Sequence, residues 1–238
     1  MVVDIADILS IKSFVEAFGK EHKSLDILVN NAGIMNVPSR EVTTDGFEAQ
    51  WGTNHVGHFV LTGLLLPLLK KTAHSRVVCL SSCFHNDAMG KKGVVDFEDV
   101  NFETRAYDGW TAYAQSKLSN LLFAREMAKR HPSVKTVSVH PGFVESNLMK
   151  GNAVFLALIS PVMTFGMCRI GPWAGVQTSL HACLNDSLVN GAYYSQVGTP
   201  RGVVGGWPCK EEDMSDQVTD ENANKLWELT AKLTKMNY

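Results

Sequence analysis

The 238 residues contain no run of about 18 or more apolar residues, the length that a spanning helix needs, so no membrane-crossing segment is expected. Charge of neither sign is in excess: 22 Lys and Arg stand against 24 Asp and Glu, a formal net charge of −2 with histidine neutral. That balance leaves no electrostatic footprint for nucleic acid, and none is expected as a partner. Long charge runs, low-complexity tracts and internal repeats are lacking as well. The opening stretch MVVDIADILS has two aspartates and no basic residue, so it does not read as a secretory leader. Five cysteines are present, an odd number: Cys79, Cys83, Cys168, Cys183 and Cys209. They read as free thiols in a reducing, cytoplasmic compartment rather than as a disulfide framework. Cys79 and Cys83 lack a matching second pair. His55 and His58 lack a carboxylate partner. No metal site is expected from either.

What is present suits one domain over residues 1–238, with 45% hydrophobic and 19% charged residues. Short runs rich in β-branched residues, at 25–30 (LDILVN), 76–81 (RVVCLS) and 134–140 (VKTVSVH), predict strands, each followed by turn chemistry. Helical spacing predicts helices over 10–22, with Ile11, Phe14, Val15 and Phe18 on one face, and over 47–69 and 112–129. The strand–helix–strand rhythm predicts an α/β fold: a doubly wound parallel sheet with helices on both faces. In such sheets ligands sit at the carboxyl ends of the strands. That rule selects Asn31-Ala32-Gly33, Ser81-Ser82 and Pro141-Gly142, and Gly33 and Gly142 allow close backbone approach to a ligand.

Tyr113-Ala114-Gln115-Ser116-Lys117 places a phenol and an ammonium one helical turn apart. A neighbouring lysine is expected to lower the tyrosine pKa, and a phenol so tuned can exchange a proton with an alcohol or carbonyl oxygen. A packed tyrosine beside a solvated lysine is the plainer alternative. His85 follows the serine pair and reads either as lining a substrate mouth or as part of a surface loop. Trp110 and Trp173 flank the same region, where core packing and substrate stacking both remain open. The most apolar stretch, 153–167 (AVFLALISPVMTFGM), is interrupted by Pro161 and Gly166. It reads as cover for a lipophilic pocket, as contact with a membrane surface, or as a helix packed on the core.

In order, NNAG at 30–33, Asn54 within a helix, Ser81-Ser82, YAQSK at 113–117 and PGFVES at 141–146 resemble the short-chain dehydrogenase/reductase family. WGTNHVGHF at 51–59, RVVCLSS at 76–82, YAQSKLSNLLFARE at 113–126 and GVQTSL at 175–180 look like its retinol-dehydrogenase-like branch. The resemblance implies a Rossmann-like fold and an NAD(P)-dependent oxidoreductase that interconverts an alcohol and a carbonyl on a lipophilic molecule of retinoid, steroid or aldehyde type. It tilts the cofactor toward NADP. It implies Tyr113 as acid/base, Lys117 as its partner and a ribose contact, Ser82 (or Ser81) on the substrate oxygen, and Asn54 holding a relay water. Asn54 could equally be a helix-interior amide bonded to backbone. Asn31, Ala32 and Gly33, then Pro141, Gly142, Val144 and Ser146, would contact the cofactor. Asp4 and Ile5 would meet the adenine. A homodimer and peripheral membrane contact are compatible with the family.

One departure is large. The family's TGxxxGxG phosphate loop is absent from the 238 residues, and Gly19 is the sole glycine before Asn30. Such a loop cradles pyrophosphate at a helix N-terminus, so cofactor affinity is expected to fall severely without it. The first βαβ unit is expected to be missing, leaving 25–30 as a sheet edge and 1–4 as the remnant of a preceding strand. The alternative function is a catalytically silent remnant acting through protein contacts.

Overall fold

The computed structural model describes residues 1–88, 90–142, 144, 148, 171–196, 208–210 and 214–238. Asp7 starts the first helix, α1 (Ile8–Glu21), by accepting the amide protons of Leu9 and Ser10. Ile11 is fully buried on its inner face, with Phe14, Val15 and Phe18 packed beside it as the periodicity predicts. β1 (Ile27–Asn30) follows. The next helical stretch has three parts: α2 (Ala49–Trp51), a π-helical turn over Gly52–Val56, and α3 (Gly57–Leu69). β2 (Arg76–Leu80) leads through a 3₁₀ turn (Cys83–His85) to a small hairpin of β3 (Asp87–Ala88) and β4 (Lys91–Lys92). α4 (Gly109–Arg130) begins at Asp108, whose carboxylate accepts from the Thr111 amide. β5 (Lys135–Val139), α5 (Pro172–Leu184), β6 (Tyr193–Gln196), β7 (Pro208–Lys210) and α6 (Asp220–Thr234) complete the described elements.

The sheet order is β1-β2-β5-β6-β7. The first four strands are parallel, as expected, and β7 adds an antiparallel edge on β6. The link at 197–207 is shorter than the dozen or more residues that a parallel crossover needs, so the chain returns antiparallel. Among the described residues β1 pairs only with β2, and Ile27 and Val29 are partly exposed on this edge. Residues 1–4 form no strand, against expectation. Asp4 is instead tied to the start of α1: its N–H donates to the Ser10 hydroxyl and its carboxylate accepts from the Ala6 amide.

Side-chain alternation fixes the two faces. Val77 and Cys79 pack with Phe59, Phe123, Met127 and Trp227, on the side of α3, α4 and α6. Val78, Val137 and Val139 pack with Ala182 of α5 on the other side. Cys79 is in register with Ser138, so Ser81 and His140, each two residues further along its strand, point toward α4. The sheet therefore delivers both strand ends to the helix that carries Tyr113 and Lys117.

Candidate active site

α4 is buried along most of its length, and Tyr113 and Lys117 lie one turn apart on the face it turns to the strand ends. The Lys117 ammonium donates to the Leu80 carbonyl at 3.2 Å, and the Asn120 amide donates to the same oxygen at 2.9 Å. The Ser81 hydroxyl donates to the Lys117 carbonyl at 2.7 Å. Two turns of α4 are thereby fastened to the last residues of β2. This geometry separates the two serines. Ser81 is engaged in the fastening, whereas Ser82 caps the 3₁₀ turn and hydrogen-bonds toward Tyr113.

Lys117 does not lower the tyrosine pKa as expected. Burial pushes the Tyr113 phenol well up, and the hydrogen bond with Ser82 opposes that rise only in part. The lysine nitrogen lies 5.5 Å from the ring centroid, turned to the Leu80 carbonyl. Burial holds Lys117 itself down to about 8. Burial dominates the shift of both groups, so the phenol is protonated at neutral pH.

Asn54 sits in the π-helical turn, a wide turn of the kind that recurs at functional sites. Its side chain clamps the segment after β1, accepting from the Ile34 amide and donating to the Ile34 carbonyl, each at 2.9 Å, while also donating to Ser116. The backbone-bonding alternative thus describes its side chain. Its carbonyl oxygen accepts from His58 Nδ1 at 2.8 Å. Gly33 is required here: a Cβ would come within 2.9 Å of Asn54 Oδ1.

Tyr113, Lys117, Ser81 and Ser82 line a single cavity of about 870 Å³ with Asn31, Ala32, Gly33, Pro141, Gly142 and Val144. Asn54 stands behind Gly33 rather than in the lining. Asp4 and Ile5 are not in the lining of this cavity: Ile5 packs against Gly57, and the Asp4 N–H donates to the Ser10 hydroxyl at the start of α1. Ser146 and the apolar stretch 153–167 lie outside the described residues. Met35, Phe84, Leu148, Gly175, Val176 and Ser179 also line the cavity and were not singled out in the sequence, nor was His140 as a side chain. The GVQTSL string was the available signal for the α5 residues.

His85 is buried rather than in a surface loop, with Nδ1 2.6 Å from the Ser82 carbonyl and its ring against Tyr193. Trp110 stacks on Phe84, next to Tyr113. Trp173 is 78% exposed. His55 and His58 are core residues, and no cluster suited to a metal occurs among the described residues. Cys79, Cys83 and Cys183 are free thiols. No helix among the described residues is long and apolar enough to cross a membrane.

A parallel sheet flanked by helices, with a Tyr/Lys pair and a serine gathered at its strand ends, defines an α/β protein of Rossmann-like architecture. The sequence model of the short chain dehydrogenase family matches residues 1–97. Retinol dehydrogenase 14 of Mus musculus is 38% identical over 240 residues, covering 96% of this chain and 64% of its own length. Retinol dehydrogenase 12 of Homo sapiens is 39% identical over 239 residues, covering 97% of this chain and 68% of its own length. A solved structure of an uncharacterized protein from Mycobacterium paratuberculosis superposes with a TM-score of 0.75 at 34% identity, covering 99% of this chain and 75% of that one. The chain belongs to the short-chain dehydrogenase family. It spans about two thirds of the length of these curated relatives.

Proposed function

We propose that this chain carries the catalytic centre of an NAD(P)-dependent oxidoreductase that interconverts an alcohol and a carbonyl on a lipophilic small molecule. The carrying observation is the convergence of Tyr113, Ser82 and Lys117 on one cavity with the turns after β1 and β5. The cavity's volume is that of a small-molecule site. The residues suit a nicotinamide: Lys117 and the backbone of Asn31–Gly33 and Pro141–Gly142 would hold it, and Gly142, at φ +84°, keeps the last turn free of a side chain. Such a cofactor supplies the hydride when bound. NADP is favoured over NAD on the likeness to retinol dehydrogenases alone.

The residues' own part follows from their protonation. The buried Tyr113 phenol carries its proton and can donate it to a carbonyl oxygen, and Ser82 supplies a second hydrogen bond to that oxygen. In the oxidising direction the phenolate takes the proton back. The Lys117 ammonium, 5.5 Å from the ring centroid, would stabilise that phenolate. Met35, Phe84, Val144 and Val176 offer the substrate an apolar wall, which supports a retinoid or another lipophilic aldehyde. The test is NADPH-dependent reduction of retinal against that of a small polar sugar. Preference for retinal is expected, and preference for the sugar overturns the substrate class.

A second reading is favoured by the absence of a glycine-rich phosphate loop from the 238 residues. On that reading the chain is silent and acts through protein contacts. Titration with NADPH, followed by nicotinamide fluorescence, separates the two. Saturable binding supports the enzyme; no binding at about millimolar concentration, a Kd worth only about −4 kcal/mol, supports the silent form.

A further inference from the structure

His140 closes β5 with its backbone amide donating to the Tyr194 carbonyl at 2.9 Å. Its side chain is a different matter. The residue is only 3% exposed and lines the cavity, yet neither ring nitrogen has a hydrogen-bond partner among the described residues. Nearly all buried polar groups in folded proteins are paired, so one left open at a cavity wall marks the place where something else completes it. We infer that His140 is a ligand-contacting residue, whose imidazole hydrogen-bonds an amide or hydroxyl group of the molecule bound in this cavity.

The surroundings restrict what that group can be. Burial, and after it the charges of the nearby His85 and Lys117, holds the imidazole down to about 3. His140 is therefore neutral at working pH, offering one N–H donor and one bare acceptor nitrogen. Beside the Lys117 ammonium a cationic ligand group would be repelled, and an anion would pair with that ammonium rather than with a neutral imidazole. An uncharged group that donates or accepts is left. Two sources fit, given the function proposed above, on which this inference rests: the carboxamide of the nicotinamide and the hydroxyl or carbonyl of the substrate. Strand alternation aims the ring toward α4, the side on which Tyr113 and Lys117 stand, so the contact is made at the reacting end of the ligand.

The sign of the stability effect distinguishes this role from a structural one. Replacing a buried imidazole that has no partner among the described residues by a hydrocarbon removes a polar group that those residues leave unpaired. His140→Leu is therefore expected to melt no lower than the wild type without ligand. It should weaken binding by about twofold to tenfold, the worth of one uncharged hydrogen bond. His140→Asn, which keeps a donor and an acceptor, should recover part of that loss. The experiment measures three quantities on the full chain and both variants: calorimetric Tm without ligand, NADPH affinity by fluorescence and by the Tm rise at millimolar NADPH, and KM for retinal. A change in NADPH affinity assigns the contact to the carboxamide. A change in KM alone assigns it to the substrate oxygen. Unchanged affinity and KM in His140→Leu overturn the inference, as does a fall in ligand-free Tm with no recovery in His140→Asn. A wild-type chain that neither binds NADPH nor reduces retinal overturns the function proposed above, and this inference falls with it.

Discussion

Mild acid should unfold this protein through its interior. His55, His58 and His140 are each at most 4% exposed, and burial holds their pKa values down to about 3, 4 and 3. The unfolded chain titrates them near 6.5. Between pH 6.5 and about 4 the unfolded state binds protons that the folded state refuses, so stability falls as pH falls. Going from pH 7 to pH 5 costs about 2 kcal/mol for each histidine and about 6 kcal/mol for the three. A domain is stable by only 5–15 kcal/mol in general, so the loss is a large share of the whole. Calorimetry or urea melts at pH 7, 6 and 5 provide the assay. His140→Leu should flatten the slope by about a third while leaving the pH 7 value no lower. Stability that stays level from pH 7 to pH 5, or resonances of His55, His58 and His140 that titrate near 6.5 in the folded protein, would refute the reasoning.

Tyr113→Phe keeps the ring that packs on Phe84 and Trp110, so far-UV dichroism and Tm should hold while turnover falls by at least about a hundredfold; retained turnover would sink the proposed mechanism. Asn54→Ala leaves the Ile34 amide and carbonyl without their partner and removes one of the two hydrogen bonds of the Ser116 hydroxyl, and should cost about 3 kcal/mol in urea melts; an unchanged midpoint means that the clamp is not needed. Lys117 is buried with its pKa lowered to about 8, against about 10.4 unfolded, so the unfolded chain holds the extra proton between these values. Stability should rise by up to about 3 kcal/mol from pH 8 to pH 10.4, and Lys117→Met should abolish the rise; an unaltered slope in that variant counts against the assignment.

The central strands were legible because β-branched runs followed by turn residues leave few alternatives, and they came out within two residues of the expected bounds. The Tyr113/Lys117 pairing was legible for the same reason: helical spacing is a local property. What escaped was set by distant neighbours. The π-helical turn at Gly52–Val56 departs from regular helix, and no local propensity announces it. β6 and β7 hold four and three residues, too few to show a period. The direction of the Tyr113 shift depends on burial, which a five-residue motif does not disclose. His140 stood beside a proline and glycine that drew attention to the backbone, and only the cavity shows that its side chain has work left to do. Asp4 and Ile5 were placed by likeness alone, and the bonds that tie Asp4 to the α1 N-terminus were not legible from it.

The Leu80 carbonyl, which receives both Lys117 and Asn120, divides the cavity into two kinds of wall. On its side the proton-handling groups hang from a joint between helix and strand that cannot slide without breaking several bonds at once. Across the cavity, Gly175, Val176 and Ser179 of α5 line the site without belonging to that joint. Substitutions there can reshape what fits while the acid/base geometry stays where it is. A laboratory seeking a new substrate scope should therefore randomise one face of α5 and leave the end of β2 alone.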